Sequence, residues 1–149
     1  MKIAIGSDHG GYDVKEAVKK KLIAAGHEVD DVGTDSKESV DYPDFGRDVA
    51  LKIAGGEADE GILVCTTGIG MSMIANRFRK VRAALCLFPA MAEKAKLHNN
   101  ANVLVLSGGL VDMNTNMSIV DEWFKHKFVP GDRHERRVKK IEEYGEQRF

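Results

Sequence analysis

Short apolar runs alternate with amphipathic stretches along the whole chain. Ile3 to Ile5 is a continuous apolar run closed by Gly6, the pattern of a strand buried on both faces. Val14, Ala17, Val18, Leu22 and Ala25 then recur at helical spacing until Gly26 stops them. A weaker strand is expected from Glu28 to Val32, followed by a polar loop to Pro43. Pro43 suits a first helical turn, where its fixed φ is helical and its missing N–H goes unused. Phe45, Val49 and Ile53 would be that helix's core face, and Gly55-Gly56 its end. Gly61 to Cys65 is the clearest strand. It runs into Thr66-Thr67-Gly68-Ile69-Gly70 and a short helix to about Arg77. Arg82 to Leu87 reads as a fourth strand, Pro89 to His98 as a helix, and Val103 to Ser107 as a fifth strand. Met113, Met117, Val120 and Phe124 mark another helix, and Arg133 to about Tyr144 a last one.

Strand–helix units in unbroken succession predict an α/β fold with a mostly parallel, five-stranded sheet covered on both faces. Right-handed crossovers make it a doubly wound, Rossmann-like sandwich with a C-terminal helix. No repeat or linker divides residues 1–149, so a single domain is expected. Ligands of such sheets bind beyond the carboxyl ends of the strands. That rule singles out Gly6 to Gly11, Cys65 to Ser72, the neighbourhood of Pro89, and Ser107 to Leu110.

Charge narrows the partners. With 22 basic and 23 acidic residues the net charge is −1, which gives no electrostatic reason for nucleic-acid binding or docking on an anionic membrane. From Asp132 onward basic residues, Arg148 included, exceed acidic ones by only one, so the tail is no nucleic-acid arm. The apolar runs fall far short of the ~20 residues that span a bilayer. The first apolar run is also too short for a secretory signal. Cys65 and Cys86 have neither a disulfide framework nor a metal-knuckle spacing. A soluble, cytoplasmic protein is expected.

The segment Cys65-Thr66-Thr67-Gly68-Ile69-Gly70-Met71-Ser72 is the richest in chemistry. A strand ending in cysteine, then glycines and a helix start, puts a thiol beside unpaired backbone N–H groups that favour an anion. Neither a phosphate loop with Gly-Lys-Ser/Thr nor the G-x-G-x-x-G dinucleotide fingerprint is present. A plain turn with Cys65 as a small core residue fits the same spacing. Asp8-His9 ends the first strand and offers a carboxylate and an imidazole for proton transfer or anion binding, although Asp8 also suits a helix cap. His98 sits where a histidine favours a helix C-terminus. Arg133 and Arg137 are four apart, so both guanidinium groups lie on one helix face and can converge on a phosphate.

Taken together, Gly6-Ser7-Asp8-His9, Val40-Asp41-Tyr42-Pro43, Gly61 to Cys65, Thr67-Gly68-Ile69-Gly70, Ala75-Asn76, His98-Asn99, Asn102-Val103 and Gly131-Asp132-Arg133-His134 with Arg137 resemble the type B ribose-5-phosphate isomerases. The sugar-phosphate isomerase family that holds them also includes the galactose-6-phosphate isomerase subunits, and the resemblance runs nearly end to end. It implies interconversion of D-ribose 5-phosphate and D-ribulose 5-phosphate through an enediolate, with no cofactor and no metal. In that scheme Cys65 is the base and Thr67, with the amides of Gly68, Ile69 and Gly70, holds the oxyanion. His98 assists ring opening with Tyr42 and Asn99 nearby, Asp8 handles protons between the sugar oxygens, and His9, Arg133 and Arg137 grip the phosphate. It also implies homodimers or dimer pairs with sites between subunits.

Two details choose a branch. Some family members replace the cysteine by a glutamate in the following loop, where this chain has Met71. The His-Asn pair and the Arg-His-x-x-Arg clamp, usually missing from galactose-6-phosphate isomerase subunits, are both present. Two positions depart from the family. Thr66 follows the cysteine where glycine is common, narrowing the loop or adding a contact, and Ser107-Gly108-Gly109-Leu110 lacks an arginine that many relatives carry. A weaker preference for phosphorylated sugars, with turnover of free or six-carbon aldoses, is therefore expected. Two other readings stay open at this level: an isomerase of allose 6-phosphate type, and a non-catalytic sugar-phosphate-binding module.

Overall fold

The computed structural model describes residues 1–146, so Arg148 lies outside the described residues. Strands β1 (Lys2–Ser7), β2 (Glu28–Asp31), β3 (Glu60–Cys65), β4 (Ala83–Leu85) and β5 (Val103–Ser107) form one parallel sheet in the order β2-β1-β3-β5-β4. Helices α1 (Tyr12–Ala24), α2 (Tyr42–Ala54), α3 (Ile69–Ala75), α4 (Pro89–Asn99), α5 (Met113–Lys125) and α6 (Arg133–Gly145) complete the α/β architecture. Strand side chains alternate between the two faces. Ile3, Ile5, Ile62, Val64, Leu104 and Leu106 pack under α1, α4 and α5. Ala4, Leu63, Cys65, Val103 and Val105 pack under α2 and α3. The chain order reverses between β1 and β3, which opens a crevice at their carboxyl ends.

The expected elements all form, with shifted boundaries. The fourth strand pairs over only three residues, because as the outer strand it has β5 alone for a partner. Before α1 the chain makes a 3-10 turn, His9–Gly11, capped by the Asp8 side chain. On α1, Lys15 is buried and Ala25 exposed. The buried stripe of α5 is Asn116, Ile119, Val120 and Trp123, turned from the expected line through Met113 and Phe124. Trp123 sets that rotation: it is fully buried and its indole N–H needs a partner.

That partner is Glu60, at the start of β3. Its Oε2 accepts from Trp123 Nε1 at 3.1 Å, and its Oε1 from Lys96 Nζ at 2.5 Å. Lys96 also donates to the Ala101 carbonyl at 3.1 Å and lies 4.7 Å from the Trp123 ring centroid. Burial raises the Glu60 pKa despite the nearby Lys96. The cluster fastens α4 and α5 to the central strand, and so fixes where α4 ends.

Removing one partner of a buried pair leaves an uncompensated charge, so Lys96→Met should cost about 3–5 kcal/mol of stability. Adding Glu60→Gln to it should recover part of that loss. Urea unfolding of the two variants checks this: a double variant no more stable than Lys96→Met would show that the pair is not what Glu60 depends on.

Candidate active site

Cys65 ends β3 with its side chain buried on the α2–α3 face. The Gly68 N–H donates to its Sγ at 3.1 Å. This contact needs a sharp reversal, and Gly68 makes it at φ +80°. A β-carbon there would sit 2.4 Å from Leu85 Cδ1. Next along the chain, Ile69 N–H donates to Thr67 Oγ1 at 3.2 Å. Two of the three expected oxyanion amides are thus engaged, and nothing among the described residues accepts from the Gly70 N–H.

Asp8 and Tyr42 complete this side. Asp8 is buried, and its Oδ1 accepts from Gly11 N–H at 3.1 Å, so it caps the turn with one oxygen while the other has no partner among the described residues. The Tyr42 ring lies against Gly70, where a β-carbon would come to 2.5 Å from it. Asp8, Tyr42, Cys65, Thr66, Thr67, Ile69, Gly70 and Met73 line an open cavity of about 430 Å3. Met73 was not anticipated: nothing marks one apolar residue of a short helix as pocket-lining. His9 stands beside Asp8 but does not line this cavity, and its Nδ1 accepts from Val40 N–H at 3.2 Å.

The floor of the crevice is made by three strand ends in contact. Gly109 N–H donates to the Thr66 carbonyl at 2.8 Å, Gly108 N–H to that of Cys65 at 2.8 Å, and Ser107 Oγ to that of Thr66 at 2.7 Å. A β-carbon at Gly10 would lie 2.0 Å from Thr66 Oγ1, and one at Gly109 2.7 Å from Thr66 Cγ2. Thr66 therefore fills the gap between two glycine loops.

The remaining predicted residues lie elsewhere. His98 and Asn99 end α4, and the His98 ring stacks on His134 of α6 at 4.2 Å with 6° between planes. Arg133 and Arg137 stand exposed in the first turns of α6, without an ion-pair partner among the described residues. Asp132 caps that helix by accepting from His134 N–H at 2.7 Å, which lowers its own pKa. Loss of solvation, with His98, Arg133 and Arg137 nearby, holds His134 below the ordinary histidine value against the pull of Asp132. His134 also escaped the sequence reading as a packing partner of His98, because only the fold stacks the two helix ends. Salt bridges from Arg82 to Glu142 and from Arg79 to Glu146 tie α6 down.

These two groups sit at opposite edges of the sheet. Cys65 is level with Ser107 at the carboxyl edge. The chain beyond His98 turns through Asn102, whose carbonyl accepts from Gly61 N–H at the amino end of β3. Four strand residues separate those levels, roughly 13 Å at ~3.3 Å each. His98 and its neighbours do not reach the Cys65 of the same chain.

The sequence and the fold both have close relatives. Residues 3–141 match the model of the Ribose/Galactose Isomerase family. Ribose-5-phosphate isomerase B of Escherichia coli K12 is 43% identical over 140 residues, covering 94% of this chain and 93% of that one. A Clostridium thermocellum ribose-5-phosphate isomerase B structure superposes with a TM-score of 0.94 at 48% identity, over 97% of both chains. The Mycoplasma genitalium ribose-5-phosphate isomerase B structure, with bound ribulose-5-phosphate, gives 0.94 at 40% identity over 99% of this chain and 97% of that one. With a thiol at the switch-point crevice, and fold and sequence matched end to end, the chain belongs to the Ribose/Galactose Isomerase family.

Proposed function

We propose that this sugar-phosphate isomerase interconverts D-ribose 5-phosphate and D-ribulose 5-phosphate, with Cys65 as the base. The observation that carries the reading is the Cys65 thiol at a strand end, held by the Gly68 amide and lining one cavity with Gly70, whose N–H is unpaired among the described residues. As a thiolate, Cys65 takes the C2 proton of the open-chain aldose. The electron pair passes to the carbonyl oxygen as an enediolate, and the proton returns at C1 to give the ketose. A sugar C–H is a weak acid, so the enediolate oxygen needs a fixed donor, and one such donor is worth ~3–4 kcal/mol. The Gly70 N–H and Thr67 hydroxyl fill that role. The spare oxygen of Asp8 moves the proton between O1 and O2.

His98 assists ring opening and Asn99 steadies the sugar, but on the site of a second copy. The roughly 13 Å between sheet edges supports that reading. So do the exposed apolar side chains of Ile69 and Met73 at the cavity, and of Leu87, Phe88 and Leu110 beyond the carboxyl ends of β4 and β5. A partner seated there brings His98, Asn99, Arg133 and Arg137 over the cavity, where the arginines and His9 hold the phosphate. The assembly is a homodimer, alone or paired into a tetramer, and residues 1–149 act as one domain in the cytoplasm.

Purified protein in chelator should convert ribose 5-phosphate, and Cys65→Ala should lose at least ~10²–10⁴ of kcat. Turnover surviving Cys65→Ala would move the base elsewhere, and no turnover on five- or six-carbon aldose phosphates would leave a binding module.

Cys65→Ala and His98→Asn chains refolded together should regain about a quarter of wild-type activity, because half the dimers are hybrids with one intact site. A mixture as inactive as its parents would place both residues in one chain.

The weaker phosphate preference also has a test. Gly109→Arg alone drives its β-carbon into Thr66, so the informative variant pairs it with Thr66→Gly. That pair should raise kcat/KM for ribose 5-phosphate relative to free ribose about tenfold, as one charged hydrogen bond would. An unchanged ratio would refute it.

A further inference from the structure

His9 Nδ1 accepts a hydrogen bond from the backbone N–H of Val40 at 3.2 Å. An amide nitrogen only donates here, so Nδ1 must offer a lone pair, and a neutral ring then carries its proton on Nε2. An imidazolium has no lone pair on either nitrogen, so protonating the ring at Nδ1 forfeits the Val40 bond. Nε2 has no partner among the described residues.

The same bond organises the approach to the cavity. Between Asp35 and Asp41, the long-range polar contacts among the described residues are this bond and an exposed Lys37–Asp13 pair at 2.9 Å. Tyr42 follows directly, with its ring against Gly70. The orientation of His9 and the path of the chain into Tyr42 are therefore both tied to the His9–Val40 bond.

We propose that the Val40 amide is a positioning group that fixes His9 as an uncharged Nε2–H donor, aimed at an acceptor-only group, the phosphate of the sugar substrate. This deepens, and rests on, the reading that His9 meets that phosphate. A ring locked in this form recognises the phosphate by a directed hydrogen bond rather than by charge, and leaves the positive charge to Arg133 and Arg137. It also turns away a donor group in the same place, since Nε2 has no lone pair to accept with.

Imidazole 15N NMR of the full chain, free and with inorganic phosphate, reads the tautomer directly. In the wild type and in Val40→Ala, which keeps the N–H, Nδ1 should behave as the unprotonated nitrogen and Nε2 as the protonated one. In Val40→Pro, which removes the N–H, the tautomers should mix. The same variant should raise KM for ribose 5-phosphate about tenfold with kcat within about twofold, while Val40→Ala changes neither. If Val40→Pro does not fold, His9→Asn and His9→Gln carry the test. Asparagine keeps an acceptor near Nδ1, glutamine puts a donor near Nε2, and only glutamine should retain phosphate affinity. A wild-type ring protonated on Nδ1, a spectrum unmoved in Val40→Pro, or asparagine serving as well as glutamine at an elevated KM would overturn the proposal. So would a KM unmoved by Val40→Pro but raised by His9→Asn. A KM indifferent to His9→Asn would instead remove His9 from the phosphate site, and the proposal with it.

Discussion

A parallel strand can be followed by another only if the chain crosses back to the edge it left, and a helix is what carries it. Every strand of this sheet therefore ends at one edge, and every crossover helix that leads into the next strand ends at the other. Cys65 closes a strand and His98 nears the close of a helix. The two are separated by the height of the sheet before any side chain is placed. The division of the predicted residues into two groups follows from this, and it is why the proposed site draws on a second copy.

The edge that holds the thiol is built by close approach. Strand-end loops from β1, β3 and β5 meet around Thr66 through Gly10, Gly108 and Gly109, where β-carbons added at the glycines would fall 2.0–2.7 Å from neighbouring atoms. Packing this tight leaves the Gly70 amide among the side chains that line the cavity. Backbone donors are fixed in place by the fold, so they need no reorganisation when charge develops in front of them. The other edge works differently. There α6 meets α4 through the stacked histidine pair, is held by ion pairs to Arg79 and Arg82, and presents Arg133 and Arg137 on an exposed face. Two guanidinium groups one turn apart suit a mobile anion better than backbone amides do, because they adjust to it.

Much of this was legible in the sequence because its signals are local. Apolar runs at β1, β3 and β5, the glycine that stops each early helix, and Pro43 near a helix start all report their own segments. The Cys65 loop announced itself the same way, through a strand end followed by glycines. What escaped depends on distant partners. Trp123 rotates α5 because Glu60 awaits its N–H, a contact across 63 positions. The short β4 reflects its place at the rim of the sheet, which no local pattern encodes. Val40 met His9 only when a polar loop folded back across 31 positions. Met73 looks like any apolar helix residue until the crevice beside it exists. The split of the predicted residues between two edges was foreshadowed by family resemblance, whereas spacing alone gave no hint of it.

In the proposed assembly one site joins the thiol side of one chain to the arginine side of another. A crystal structure of the protein soaked in inorganic phosphate should then show an anion beside His9 of one chain, held by Arg133 and Arg137 from a second chain seated over the Cys65 cavity. An anion bound by those arginines with no second chain over the cavity, or by His9 and the arginines of one and the same chain, would contradict it.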